Sequence, residues 1–150
     1  MLKKKISILL IFIFLNACGY SPIYSNLEKK NINIQIIKIN GDSEINKSLV
    51  RNLERYKNSN SEKSFKINIV SEYKKLVLSK NAAGVVTNYR LNSNITFEII
   101  SEKEIKKIIF KEKFDIKKGD SLFEENNYEN IIKRDMAMNI AEKLILQLMK

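Results

Sequence analysis

The sequence predicts an α+β fold: one four-stranded, mainly antiparallel sheet with two helices packed on one face, in the order β-α-β-β-β-α. Three observations predict it. Four segments alternate apolar and polar residues with period two, two segments repeat apolar residues every three or four positions, and short polar links separate the last three strands. At 150 residues the chain has room for one domain of ordinary size, placed at 32–150.

The first strand is read from Ile32, Ile34 and Ile36, which alternate with Asn33 and Gln35; the phase slips at Ile37, which marks a possible bulge. Asn40-Gly41 ends it. Ile45, Leu49, Leu53 and Tyr56 then recur at helical spacing, with Asp42 or Ser43 available as N-cap. In the second strand Phe65, Ile67, Ile69 and Tyr73 share a face, and the pattern shifts phase near Lys74 and Lys75. The third has the cleanest alternation, Tyr89, Leu91, Ile95, Phe97 and Ile99 against Arg90, Asn92, Asn94, Thr96 and Glu98. The fourth sets Ile108, Phe110, Phe114 and Ile116 opposite Lys107, Lys111, Lys113 and Asp115. The links "KNAAG" and "SEKE" predict antiparallel hairpins. A closing helix is predicted from about Asn126 to Met149, with Ile140, Leu144 and Leu148 in one stripe and Ala137 and Ala141 beside it. Two helical stripes and one apolar sheet face require both helices on the same side; the strand order is left open.

Ahead of the domain, "MLKKKISILLIFIF" has a basic start and an apolar run too short to span a bilayer as a helix, the layout of an export signal. The chain's single cysteine follows in Leu15-Asn16-Ala17-Cys18, which resembles the lipobox of bacterial lipoproteins, with Asn16 as its departure from the pattern. A lone thiol has no intramolecular partner, so the expectation is a signal peptide at 1–17, a lipidated N-terminus and tether at 18–31, and a membrane anchor of fatty chains on Cys18. Gly19 after the cysteine, rather than Asp, favours by resemblance the periplasmic side of the outer membrane.

The net charge is +10 from 27 basic and 17 acidic residues; loss of Lys3, Lys4 and Lys5 with the leader leaves +7. Such a surface suits anionic partners, which in a periplasm are phosphorylated lipids rather than nucleic acid. With no histidine and no Gly-rich phosphate loop, catalytic and metal schemes lack parts. Asp115, Asp120, Glu124 and Glu125 are the nearest approach to a carboxylate group, and the last two better suit a helix N-terminus. The expectation is a binding protein, not an enzyme, with no catalytic or metal residues and no cofactor beyond the covalent lipid.

The polar side of strands two to four is expected to face water, and would also suit a polar-lined barrel lumen. Leu76, Leu78, Val85 and Val86 extend the second hairpin past the core, ringed by Lys74, Lys75, Lys80 and Arg90, which are the candidate ligand or partner contacts.

These features together resemble the LptE family of lipopolysaccharide-assembly lipoproteins of Gram-negative bacteria, particularly its alphaproteobacterial members. Cys18-Gly19-Tyr20-Ser21-Pro22-Ile23-Tyr24 is similar to their opening, "GVVTNYRL" to a hairpin feature, and "RDMAMNIAEKLILQLMK" to their C-terminal helix. The resemblance implies a plug-like partner of the LptD β-barrel that assists its assembly and helps deliver lipopolysaccharide to the outer leaflet. The alternative is an accessory lipoprotein of another envelope transport or secretion complex.

Overall fold

The computed structural model describes residues 32–57, 61, 63–101 and 104–150. The leader, Cys18 and the tether lie outside the described residues. Strands β1 (Ile32–Gly41), β2 (Lys63–Lys80), β3 (Val86–Ile100) and β4 (Ile105–Lys117) form one sheet in the order β1-β2-β3-β4. Helix α1 (Ser43–Leu53) follows β1 and runs into a short 3-10 turn at Glu54–Tyr56, and helix α2 (Leu122–Leu148) closes the chain. The β1–β2 pair is parallel, which the intervening helix permits, and the two remaining pairs are antiparallel hairpins.

The expected slip in β1 is a register shift between Ile36 and Lys38 that turns Ile37 out to solvent and returns Ile39 to the side packed on the core. At the strand's end only glycine fits. A Cβ on Gly41 would stand 1.8 Å from the Ser71 carbonyl oxygen, and its φ of +112° is one that side chains rarely adopt. Asp42 then caps α1, accepting from the Glu44 and Ile45 amides, so Ile45, Leu49 and Leu53 enter the core in one stripe.

The core lies between the helices and one sheet face. Ile67 and Ile69 of β2, Ile95, Phe97 and Ile99 of β3, and Ile108 of β4 meet the α1 stripe and Ala137, Ile140, Ala141, Leu144 and Ile145 of α2. A smaller cluster of Leu91, Ile116, Ile132 and Met136 continues it toward the β2–β3 turn. The closing helix begins four residues before the expected Asn126, because Ser121 caps it by accepting from the Glu124 amide, with Glu124 and Glu125 in its first turn.

The second strand differs from its sequence reading at Lys74 and Lys75. The phase does not shift there. Tyr73 and Lys75 stay on the side of the sheet beneath α2, and the slip comes later, between Val77 and Ser79.

Candidate functional site

Two polar assemblies flank the sheet, one on each side. On the helix side, Lys75 Nζ lies 2.5 Å from Glu125 Oε1 and 2.9 Å from Glu129 Oε2. Lys133 Nζ lies 2.9 Å from Asp42 Oδ2 and 3.7 Å from Glu129 Oε1. The two ammonium groups also sit over aromatic rings, Lys75 over Tyr89 at 4.4 Å and Lys133 over Tyr73 at 4.0 Å. Glu125, Glu129 and Lys133 recur at intervals of four, so one side of the first half of α2 supplies three members of the network. Burial opposes ionisation of Glu129 and Asp42, yet hydrogen bonds outweigh it, from Lys75 to Glu129 and from the Ile45 amide and Lys133 to Asp42. Both carboxyls are held below their ordinary values. Burial likewise opposes the charge on Lys75, but Glu125 and Glu129 raise its pKa. Tyr73 is pushed well above the usual phenol range, first by burial and then by the Glu129 carboxylate. This arrangement locks a helix to a sheet and presents no group poised to react.

The opposite sheet face is open. Its central rungs are Glu72, Asn94 and Lys111, then Lys74, Asn92 and Lys113, then Leu76, Arg90 and Asp115. Lys74, Lys111, Lys113, Glu72, Asn92 and Asn94 surround a shallow depression of about 230 Å³. Among the described residues Lys74, Lys111 and Lys113 have no ion-pair partner, while Asn94 Nδ2 donates to Glu72 at 3.3 Å. The Asn92 and Asn94 Oδ1 atoms are covered and accept no hydrogen bond from the protein. Arg90 forms a two-pronged pair with Asp115, Nε to Oδ1 at 2.7 Å and Nη2 to Oδ2 at 2.8 Å, which raises the arginine's pKa and lowers the aspartate's. Three uncompensated ammonium groups beside carboxamides and one carboxylate can receive phosphate or sugar groups.

The β2–β3 hairpin ends beyond this depression. Asn81 shapes the turn by accepting from the Ala83 and Val85 amides, and Gly84 takes the positive φ of 77°. Leu76, Val77, Leu78 and Val85 are exposed there, with Lys80 at the strand end. The four cations singled out in the sequence are therefore not brought together. Lys74 and Arg90 share the open face, Lys80 stands at the hairpin tip, and Lys75 is enclosed on the other side. Sequence reasoning missed the partners of Lys75. The interval-of-four run Glu125, Glu129, Lys133 was the available signal, since a charged stripe in line with Met136 and Ile140 faces the sheet.

Among the described residues there is no group of three side chains able to hold a metal ion, and no helix long and apolar enough to cross a membrane.

A family model described as LptE, lipopolysaccharide-assembly, matches residues 30–148. The chain belongs to the LptE family. The match takes in every described element of this LptE-family domain and begins after the Cys18–Tyr24 stretch. No curated protein matches the sequence closely. Among solved structures, rare lipoprotein B from Shewanella oneidensis is similar with a TM-score of 0.59 at 15% identity, over 80% of this chain and 93% of that one. A crystal structure from Caulobacter crescentus is similar with a TM-score of 0.50 at 14% identity, over 77% and 86% of the two chains. At such identities the likeness speaks for the fold, which the LptE-family chain shares with both.

Proposed function

We propose that this LptE-family protein is a lipoprotein of the outer membrane's periplasmic side, anchored through fatty chains on Cys18, that partners an LptD-type β-barrel and helps deliver lipopolysaccharide to the outer leaflet. The family match over residues 30–148 is the observation that carries this reading. The open face supports it. Lys74, Lys111 and Lys113 offer charge to phosphates and sugar carboxylates. At the hairpin tip, Leu76, Leu78 and Val85 with Lys80 suit the junction of acyl chain and headgroup, and Arg90 sits between the two regions. Lys75 contributes by holding α2 in place beneath the hairpin. Binding alone performs this role: the protein orients an amphipathic ligand and breaks no bond.

Depletion tests the reading. Newly made lipopolysaccharide should fail to reach the cell surface when the protein is removed, and affinity capture of the intact lipoprotein should bring down a heat-modifiable barrel. Normal surface arrival, or capture of a secretin or ATPase complex instead, would contradict it. Mass analysis of the exported protein should show acyl chains on Cys18; an unmodified thiol would remove the anchor.

A further inference from the structure

An open groove runs along the free edge of β1. This strand stands at one end of the sheet order, so no described strand pairs with its outer side. Residues 34–37 form one wall of the groove, which holds about 510 Å³, and Val50, Leu53, Glu54 and Lys57 form the other. A wall of consecutive residues is a strand met edge-on, because alternate side chains point to opposite faces. The second wall recurs at intervals of three and four, so it is one stripe of α1 and the turn that continues it. Ile34 and Leu53 are buried, whereas Ile37 is 58% exposed. A strand edge flanked by an apolar groove is the form of site that accepts a further strand.

The chain carries an occupant that enters β1 itself. Residues 19–31 join at Ile32, two residues before the groove, so docking them requires only the closure of a short loop. With residues 28–31 as a four-residue hairpin loop, Leu27 stands opposite Ile32, Ser25 opposite Ile34 and Ile23 opposite Ile36. Opposed side chains share a face, which sets Leu27 and Ile23 with the β1 isoleucines on the helix side, against the α1 stripe. Tyr24 then joins exposed Gln35 on the open face. A register shifted by one residue would put Leu27 and Ile23 on that polar face instead. Pro22 falls opposite Ile37, where β1's own register shift interrupts the ladder and where a missing N–H leaves no bond unmade.

We infer that residues 22–27 fold back antiparallel to β1 and fill the groove between β1 and α1, with Ile23 and Leu27 as its apolar anchors. The inference requires neither the barrel nor lipopolysaccharide. A second copy's segment is a poorer occupant, because it must also overcome the entropy of association. The consequence falls on the proposed anchor. Fully extended, residues 18–31 span at most about 48 Å between Cys18 and β1; with the segment docked, only Gly19, Tyr20 and Ser21 separate Cys18 from Pro22, a reach of about 14 Å. The lipid then holds the domain close to the membrane with its β1–α1 side toward it.

Disulfide trapping tests it in the purified exported lipoprotein, with the bonds and the state of Cys18 assigned by mass mapping. Ile23→Cys with Val50→Cys places one thiol in the segment and one on the α1 wall. Ile23→Cys with Lys66→Cys is the control, because Lys66 pairs with Gln35 on the open face, a site that an undocked segment reaches as readily. Under mild oxidation the first pair should close within one molecule at least about tenfold faster than the second. Separately, Ile23→Asp with Leu27→Asp should speed chymotrypsin cleavage after Tyr24 at least about tenfold, by releasing the segment from the groove. Equal trapping of the two pairs, disulfides between two copies, or cleavage unchanged by the two aspartates would each overturn the inference. Rapid closure of the Ile23–Val50 pair in a protein whose Cys18 is unmodified would support the docked strand while removing the proposed anchor.

Discussion

Along its inward side α2 changes character. Near its start, Glu125, Glu129 and Lys133 meet Lys75, Tyr73 and Asp42 through ion pairs and cation–ring contacts. From Ala137 onward the buried residues are Ala137, Ile140, Ala141, Leu144 and Ile145, packed on the isoleucines and Phe97 of the sheet. The apolar half gains free energy from removing surface from water, which is non-directional. The charged half is directional: Lys75 and Lys133 reach their carboxylates only with the helix at one position along β2. Stability thus resides mainly in one half, and the charges set the register.

The largest test of that contrast removes apolar volume. Phe97→Ala, at a fully buried residue whose ring lies 6.0 Å from that of Phe110, should cost about 3–5 kcal/mol in urea unfolding. A loss below about 1 kcal/mol would place the stability elsewhere. At the charged end, Lys75→Met leaves Glu125, only 7% exposed, without its cation, and should cost about 2–3 kcal/mol. Adding Glu125→Leu should recover more than half of that loss. If the double variant is no more stable than the single one, the charges contribute net stability as well as register.

The contrast sharpens with pH. Glu129 and Asp42 titrate below their ordinary values of 4.5 and 3.8 in the folded protein. The unfolded chain therefore binds more protons there, and stability present above those values declines as pH falls through them toward the folded pKa values. Melting temperature should drop between about pH 5 and pH 3, and Glu129→Gln should flatten that drop; the same slope in the variant would exclude Glu129 as a source. The smallest effect belongs to the exposed pair. Arg90→Ala should leave the melting temperature unchanged, because solvent screens a salt bridge there.

The same division decided what the sequence could reveal. Ile95, Phe97 and Ile99, or Ile45, Leu49 and Leu53, carry their periodicity locally, so strand and helix could be read from neighbours alone. Lys75 could not. Its inward position makes sense only with Glu125 and Glu129, fifty and fifty-four positions away, and without them it resembles a break in the strand pattern. The early start of α2 was hidden because its first turns bear exposed Leu122 and Phe123 and charged residues instead of a clear stripe. Strand order was hidden for a related reason: alternation shows which side chains share a face but not which strand lies beside β1. Of the candidate site, Lys111 and Lys113 were legible on the polar side from period-two alternation, whereas the place of Lys74 beside them and its separation from Lys75 required the phase that the structure supplies.

The central claim is that the open-face cations serve a ligand and not the fold. Binding of purified lipopolysaccharide to the folded domain, followed beside thermal unfolding for Lys74→Glu, Lys111→Glu and Lys113→Glu combined, tests it most directly. The account predicts affinity at least about tenfold weaker, salt-sensitive binding in the parent, and a melting temperature within about 2 °C of the parent's. Unchanged affinity in a folded triple variant would contradict it.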